Sequence, residues 1–405
     1  MVVFAVLTVI ALFALASRGR SRWYRYAGGL ALAGHLVVAL FVLPLLPYSW
    51  DIDLFHEVAL GILSGAEMSP LSPLDAFGTV QALLYAVYGA DPTVLSVFNG
   101  LFAVLLPLPA ARIARRLYDR SVSTDGLVFV VLFLPFPFFF HSLPMRDALA
   151  TLLALTTLAV CVEAAAGRRY QLAWLVPPLW TEVLLLREEL AALVLLAVVG
   201  AVLVAGCRRV FGALTPVSLA LAALPVGLSG FALFASLFPV AGLNERLQYR
   251  AAGGAAYLQF MSYDSWLDVA LAAPVRAIHF QYAPFPLHVD SAFDAVAVLA
   301  LPLLVVLTVT AVLSLRAVDT DPLVVVVLGT FYLGGVVGYG LVDANFGTTI
   351  RHRAIFVVVL SIASTPVLAS WTRSLRRRLD DPTDQRGDGH EQQGEAEKLD
   401  PGPEL

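Results

Sequence analysis

Long apolar runs alternate along the chain with short polar joints, and the joints gather the charge. A bilayer core needs about 17–25 apolar residues per helix. Eleven stretches approach or meet that length: about 1–16, 27–46, 94–111, 125–141, 148–165, 171–186, 190–207, 216–239, 292–315, 322–341 and 354–371. The pattern predicts an all-α fold, a polytopic membrane helical bundle of about eleven transmembrane helices. Two joints are long, near 47–93 and 240–291. Within the first, Phe77, Val80, Leu84, Val87 and Tyr88 make a helical stripe between Asp75 and Asp91. That stretch is too short to cross a bilayer, so it predicts an interfacial or re-entrant helix. The second holds Tyr249, Tyr257, Tyr263, Trp266 and Tyr282, and is expected to lie along the membrane surface.

Composition agrees with this and excludes a soluble domain. The 405 residues are 59% hydrophobic and 14% charged, with a mean hydropathy of +0.81. A water-facing surface cannot be built from that balance, so the bilayer must act as solvent. All basic residues but Lys398 are arginine, and they are unevenly placed. With alternate joints assigned to one side, the arginines of 18–25, 112–120, 168–169 and 208–209, with Arg316 and those of 373–378, fall together. Arg146, Arg187, Arg246, Arg250, Arg276, Arg351 and Arg353 fall on the other side. The richer side is the expected cytoplasmic one. The expected location is the cell membrane, multi-pass, with the N-terminus outside and the C-terminus in the cytoplasm. The first apolar run has no basic region before it, which predicts a span rather than a cleaved signal.

Charge also divides the chain. Residues 1–378 read as the transmembrane domain, and 379–405 as a disordered acidic cytoplasmic tail with nine acids against Arg386 and Lys398. No basic patch points to nucleic acid. Cys161 and Cys207 read as buried inert thiols. No Walker loop, GxSxG, CxxC or HExxH pattern occurs, so no soluble nucleotide or structural zinc is implied.

The expected outer face carries an inventory that simple connections do not need. Five of the seven histidines lie there: His56, His141, His279, His288 and His352. The first cluster is Trp50, Asp51, Asp53, His56 and Glu57. On a helix starting near Asp51, the i, i+3, i+4 spacing puts Asp53, His56 and Glu57 on one face, with Leu54 and Val58 toward lipid or core. A carboxylate here can serve as general base or hold a divalent metal, with Asp51 and Asp53 the candidate ligands; the bland reading of Asp51 is a helix cap. The second cluster, His141, Ser142, Pro144, Arg146 and Asp147, opens the fifth expected span, where Asp147 also suits a helix dipole. The third runs from Asp343 and Asn345 through Thr348 and Thr349 to Arg351, His352 and Arg353. Paired guanidiniums with hydroxyl donors form an anion-binding mouth, for which snorkelling anchors are the alternative. Arg187, Glu188 and Glu189 read as a local structural network. In the second long joint, Arg246, Arg250, Arg276, His279 and His288 are candidates without a ranking.

The stretch WDIDLFHE after an early span, then FLPFPFFFHSLPMRDALATLLAL and NFGTTIRHRAIFVVVL at the heads of later ones, resembles the GT-C superfamily of polyprenol-phosphate-sugar-dependent glycosyltransferases. That superfamily includes dolichyl-phosphate-mannose protein mannosyltransferase-like proteins, and the likeness covers the layout of 27–371. It implies a catalytic acid at Asp51 or Asp53, with Asp-Ile-Asp in place of the usual paired acids, which leaves the metal question open. His56, Glu57, Arg146, Arg351, His352 and Arg353 become the substrate- and phosphate-binding candidates. The implied partners are a polyprenyl-phosphate-linked sugar donor, a glycan, lipid or protein acceptor, and membrane lipid. An O-antigen polymerase or ligase of lipid-linked glycans is the rival, since it also uses basic groups in large outer loops. A transporter or flippase would place ionisable groups near the midplane, where His35, Glu163 and Glu182 are the few candidates.

Overall fold

The computed structural model describes residues 1–45, 51–69, 72–119, 121–212, 216–237, 239–251, 255–289 and 292–380. The described chain is α-helical throughout, and its one β feature is an isolated bridge between Ala256 and Asn345. The elements are α1 (Val2–Ala16), α2 (Arg22–Val37), α3 (Ile52–Leu63), α4 (Pro73–Tyr88), α5 (Pro92–Leu105), α6 (Pro107–Leu117), α7 (Asp125–Phe133), α8 (Pro135–Ser142) and α9 (Asp147–Ala165). They continue with α10 (Val176–Leu186), α11 (Glu188–Phe211), α12 (Pro216–Leu237), α13 (Val240–Arg250), α14 (Trp266–Tyr282), α15 (Ala292–Leu299), α16 (Leu301–Ala317), α17 (Pro322–Val342), α18 (Phe346–Ala363) and α19 (Thr365–Asp380).

Among the described residues, seven helices are long and apolar enough to cross a membrane, and nine if each of two bent pairs counts as one span. The chain is thus an all-α, multi-pass membrane bundle. Two of the expected spans are short, α1 with 15 residues and α10 with 11. The run expected at 125–141 is broken between α7 and α8 by a 57° bend. Pro135 stands there, and a proline inside a helix loses a backbone donor and clashes with the preceding turn. The last span begins earlier than 354, because Asn345 caps it by accepting from the Gly347 amide at 2.9 Å. Arg351, His352 and Arg353 therefore sit within α18 rather than in a loop before it. The expected acidic tail lies outside the described residues from 381 onward.

Ion pairs gather at the two ends of the bundle. At one end Arg116 grips Glu163 through Nε and Nη2, at 2.7 and 2.6 Å. Beside it Arg208 donates to Asp321 at 2.7 Å, and the Asp321 amide donates to the Leu117 carbonyl at 2.9 Å. At the other end stand Asp147, Glu189 and Asp343. Three helices carry one member of each set: α9 has Asp147 and Glu163, α11 has Glu189 and Arg208, and α17 is flanked by Asp321 and Asp343. At 1.5 Å per residue these pairs are about 24–33 Å apart, close to the thickness of a hydrocarbon core. Glu163 is therefore at a bundle end and not near the midplane. His35, by contrast, is buried, with Nδ1 2.7 Å from Ser142 Oγ.

Between the ends the helices approach closely where a residue is small. A Cβ on Gly335 of α17 would stand 2.0 Å from the Phe356 ring of α18, so only glycine allows this contact. The two long joints are helical rather than loose. In the first, α3 and α4 form a hairpin in which a Cβ on Gly78 would meet Val58 Cγ1 at 2.4 Å. The buried face of α4 is Phe77, Gly78, Gln81, Ala82, Tyr85 and Tyr88, which differs from the expected stripe in leaving Val87 exposed. In the second joint α14 packs on the bundle, where Phe280 stacks on Tyr339 at 5.9 Å and Tyr282 Oη donates to Thr308 Oγ1 at 3.1 Å. The face with Val269, Ala272, Arg276 and Phe280 is buried, while Leu267, Leu271 and Ile278 remain exposed.

Candidate active site at the Asp147 end

Helix starts supply most of this site. Asp147 opens α9, and its side chain is only 8% exposed. Arg187 precedes α11 in extended backbone, and its Nη2 donates to Asp147 Oδ1. From α18, one turn inside the helix, Arg351 Nε donates to Asp147 Oδ2 at 2.6 Å, while its Nη1 donates to Asp51 Oδ2 at 2.9 Å. A single buried carboxylate thus bridges two guanidiniums, and one of these reaches on to the first acid of α3. Arginine forks suit this geometry, and the pairing offsets the cost of taking the charges from water.

A second branch lies beside the first. Arg250, ending α13, donates to Asp343 Oδ1, and His352 Nδ1 is 2.9 Å from Asp343 Oδ2. Arg250 Nη2 also stands 3.6 Å from Glu189, which pairs with Arg246 at 3.1 Å. Tyr339 lies between the branches, with its ring 4.8 Å from that of His352 and its hydroxyl favouring the charge on Arg187. Burial works against the charge on Arg187, but Asp147, Tyr339 and Glu189 more than reverse this and hold it above its ordinary range. Burial likewise raises Asp343, yet His352 and Arg250 outweigh it and keep its carboxyl below the usual range.

Arg146 differs from its neighbours. No ion pair or hydrogen bond holds it among the described residues; its Nε is buried without a partner, and its guanidinium carbon lies 5.8 Å from the Phe55 ring centroid. Burial, with Arg187 beside it, lowers it to about 10. Asp147 and Glu189 only partly offset burial and the neighbouring arginines, so a cation with no ion pair of its own makes this point of the site receptive to an anion.

The structure brings together Asp51, Arg351 and His352 with Asp147 and Asp343, and sets Arg146 against α3. It does not bring in the remaining candidates. Asp53 and Glu57 are exposed and have no ion pair or hydrogen bond among the described residues. His56 faces the hairpin instead, with Nδ1 2.8 Å from Tyr85 Oη, which accepts from Gln81 at 2.5 Å. On α3 the most buried residues are Phe55 and Ala59, while Val58 packs against Gly78 of α4 and Leu54 is exposed. Arg353 points away from the mouth. Its Nη1 donates to the carbonyls of Phe280, Gln281 and Ala283 at 3.2, 2.8 and 2.9 Å, satisfying the end of α14. Trp50 lies outside the described residues.

Asp147, Arg187, Glu189, Arg250 and Asp343 are the central groups that the sequence left as caps, local pairs or unranked candidates. Their partners are as far as 204 residues away, and no local spacing signals such a pairing. Asp51 faces a guanidinium, Asp53 stands apart from it, and no three His, Cys, Asp or Glu side chains converge among the described residues. No known family model matches the chain, and no curated protein or solved structure is significantly similar to it.

Proposed function

We propose that the chain is a membrane glycosyltransferase that moves a sugar from a polyprenyl-phosphate donor to a glycan, lipid or protein acceptor. The reading carries with it a GT-C-like bundle of eleven spans in the cell membrane, with the N-terminus and the Asp147 end outside and the C-terminus in the cytoplasm. The observation that supports it most is the meeting of Asp51 and Arg351, 300 residues apart in sequence, beside the unpaired Arg146. An acid that is 52% exposed can take a proton, and the Arg351 guanidinium 2.9 Å away can take up negative charge.

In this mechanism the Asp51 carboxylate accepts the acceptor hydroxyl proton as the acceptor oxygen bonds to the anomeric carbon. The bond from that carbon to the phosphate oxygen breaks, and its electron pair leaves with the phosphate. Arg351 and Arg146 stabilise the growing charge, in surroundings where poor solvation strengthens each hydrogen bond. Asp147 and Arg187 hold Arg351 in place. Membranes supplied with labelled polyprenyl-phosphate sugar test this directly: Asp51→Asn should abolish transfer while expression survives, and retained transfer would end the proposal.

A ligase of lipid-linked glycans draws on a different observation, that α13 in the second long joint supplies Arg246 and Arg250 to the same network. The donor separates the two. A ligase consumes a whole lipid-linked glycan and leaves the monosaccharide donor untouched.

A further inference from the structure

Arg351 has two acids, and they are held unequally. Asp147 is 8% exposed and keeps Arg187 as a second partner, whereas Asp51 is 52% exposed and has no other ion pair among the described residues. The Asp51 contact is the replaceable one. One turn further along α3, Phe55 lies over the guanidinium of Arg146. The same short helix therefore covers both cations at the mouth, with a carboxylate on one and an aromatic face on the other.

Helix α3 is attached mostly to its hairpin partner. It packs chiefly on α4, through the Phe55–Phe77 edge contact at 4.8 Å, the His56–Tyr85 hydrogen bond and the Gly78 approach. Beyond the hairpin, the contacts to Arg351 and Arg146 and the packing of Ile52 against the cluster around Phe140 and Ile350 tie it to the bundle.

We propose that Asp51 is an internal anion seated on Arg351, and that a phosphate-bearing ligand reaching Arg351 and Arg146 displaces it. The displaced carboxylate is then free beside the bound ligand, so the base becomes available only when the anion is in place. This rests on the transferase reading for the nature of the anion, and the recognised chemistry is a phosphate monoanion or dianion. A phosphate matches two arginines better than a lone carboxylate does, since it offers separate oxygens to each guanidinium.

Binding of farnesyl phosphate and, in a parallel arm, inorganic phosphate to the full-length chain in nanodiscs tests the proposal. An exposed ion pair accounts for at most about a fivefold factor, so Asp51→Asn should tighten binding roughly two- to fivefold. Asp53→Asn and Glu57→Gln, which remove the same charge from the same helix without breaking a contact, should leave it unchanged. Arg351→Ala should weaken it at least about tenfold, as expected for a charge-assisted bond. Unchanged or weaker binding by Asp51→Asn, or equal tightening by all three acid variants, overturns the displacement while leaving the phosphate seat intact. Equal binding by the wild type and Arg351→Ala, or no binding by either the wild type or Asp51→Asn, removes the seat and the transferase reading with it. Tighter binding of farnesyl phosphate than of inorganic phosphate identifies a lipid source, and the reverse a free one; the displacement stands if Asp51→Asn tightens the preferred probe.

Discussion

Neutralising Asp147 should be among the most damaging single changes to the bundle. Its carboxylate accepts from both Arg187 and Arg351, and the side chains of Asp147 and Arg187 are 8% and 7% exposed. With Asp147→Asn, Arg187 loses its charged partner, and its Nε already lacks a hydrogen bond. Breaking a buried pair from one side costs about 3–5 kcal/mol, because a charge is left uncompensated. Asp51→Asn, acting on a half-exposed carboxylate, should cost under about 1 kcal/mol. Denaturation in mixed micelles of increasing detergent denaturant, followed by circular dichroism, would measure both. The double variant Asp147→Asn/Arg187→Gln should recover at least about 1.5 kcal/mol relative to the sum of the single variants, since contacting residues couple on this scale. Equal losses at Asp147 and Asp51, or strict additivity in the cycle, would refute the assignment of Asp147 as the anchor.

Three further outcomes are expected. Gly78→Val should pry α3 from α4, at about 1–3 kcal/mol of overpacking, seen as a lower melting temperature and as faster proteolysis of the 51–69 segment. The native Asp343 carboxyl is held below its unfolded value, so its stabilisation is complete above the ordinary carboxylate range near 3.9. That stabilisation is lost as pH falls through the depressed native value; Asp343→Asn should therefore sit below the wild type in melting temperature at pH 7, with the gap closing in acid. Arg353→Gln should destabilise the bundle more than Arg351→Gln does, because it strips the donor from three carbonyls at the end of α14 in a fully buried setting. A larger loss with Arg351→Gln would contradict the placement of the two arginines.

The helical fold was legible because apolar runs of bilayer length leave few alternatives, and α9, α11 and α17 fall close to the runs that announced them. The site was legible as a region, not as a geometry. Arg351 and Arg353 looked like one anion clamp, yet residues two apart on a helix point to opposite sides, and the structure sends one to Asp51 and the other to α14. The same argument separates Asp51 from Asp53. Periodicity had nothing to say about Asp147, whose partners stand 40 and 204 residues away. Phe77 and Tyr88 were correctly placed on a helix, but the small residues Gly78 and Ala82 turned the buried face of α4, because close approach to α3 favours them over Val80 and Val87.

The cap that Arg353 places on α14 has a consequence for biogenesis. The three carbonyls it serves precede it by 70–73 residues, with α16 and α17 made in between. Until α18 emerges during synthesis, these three carbonyls lack the donor that serves them in the folded chain, and water is the expected substitute. The order of translation and the order of assembly run opposite to each other at this point, and a nascent chain stopped before residue 353 should keep α14 accessible to water-borne labels.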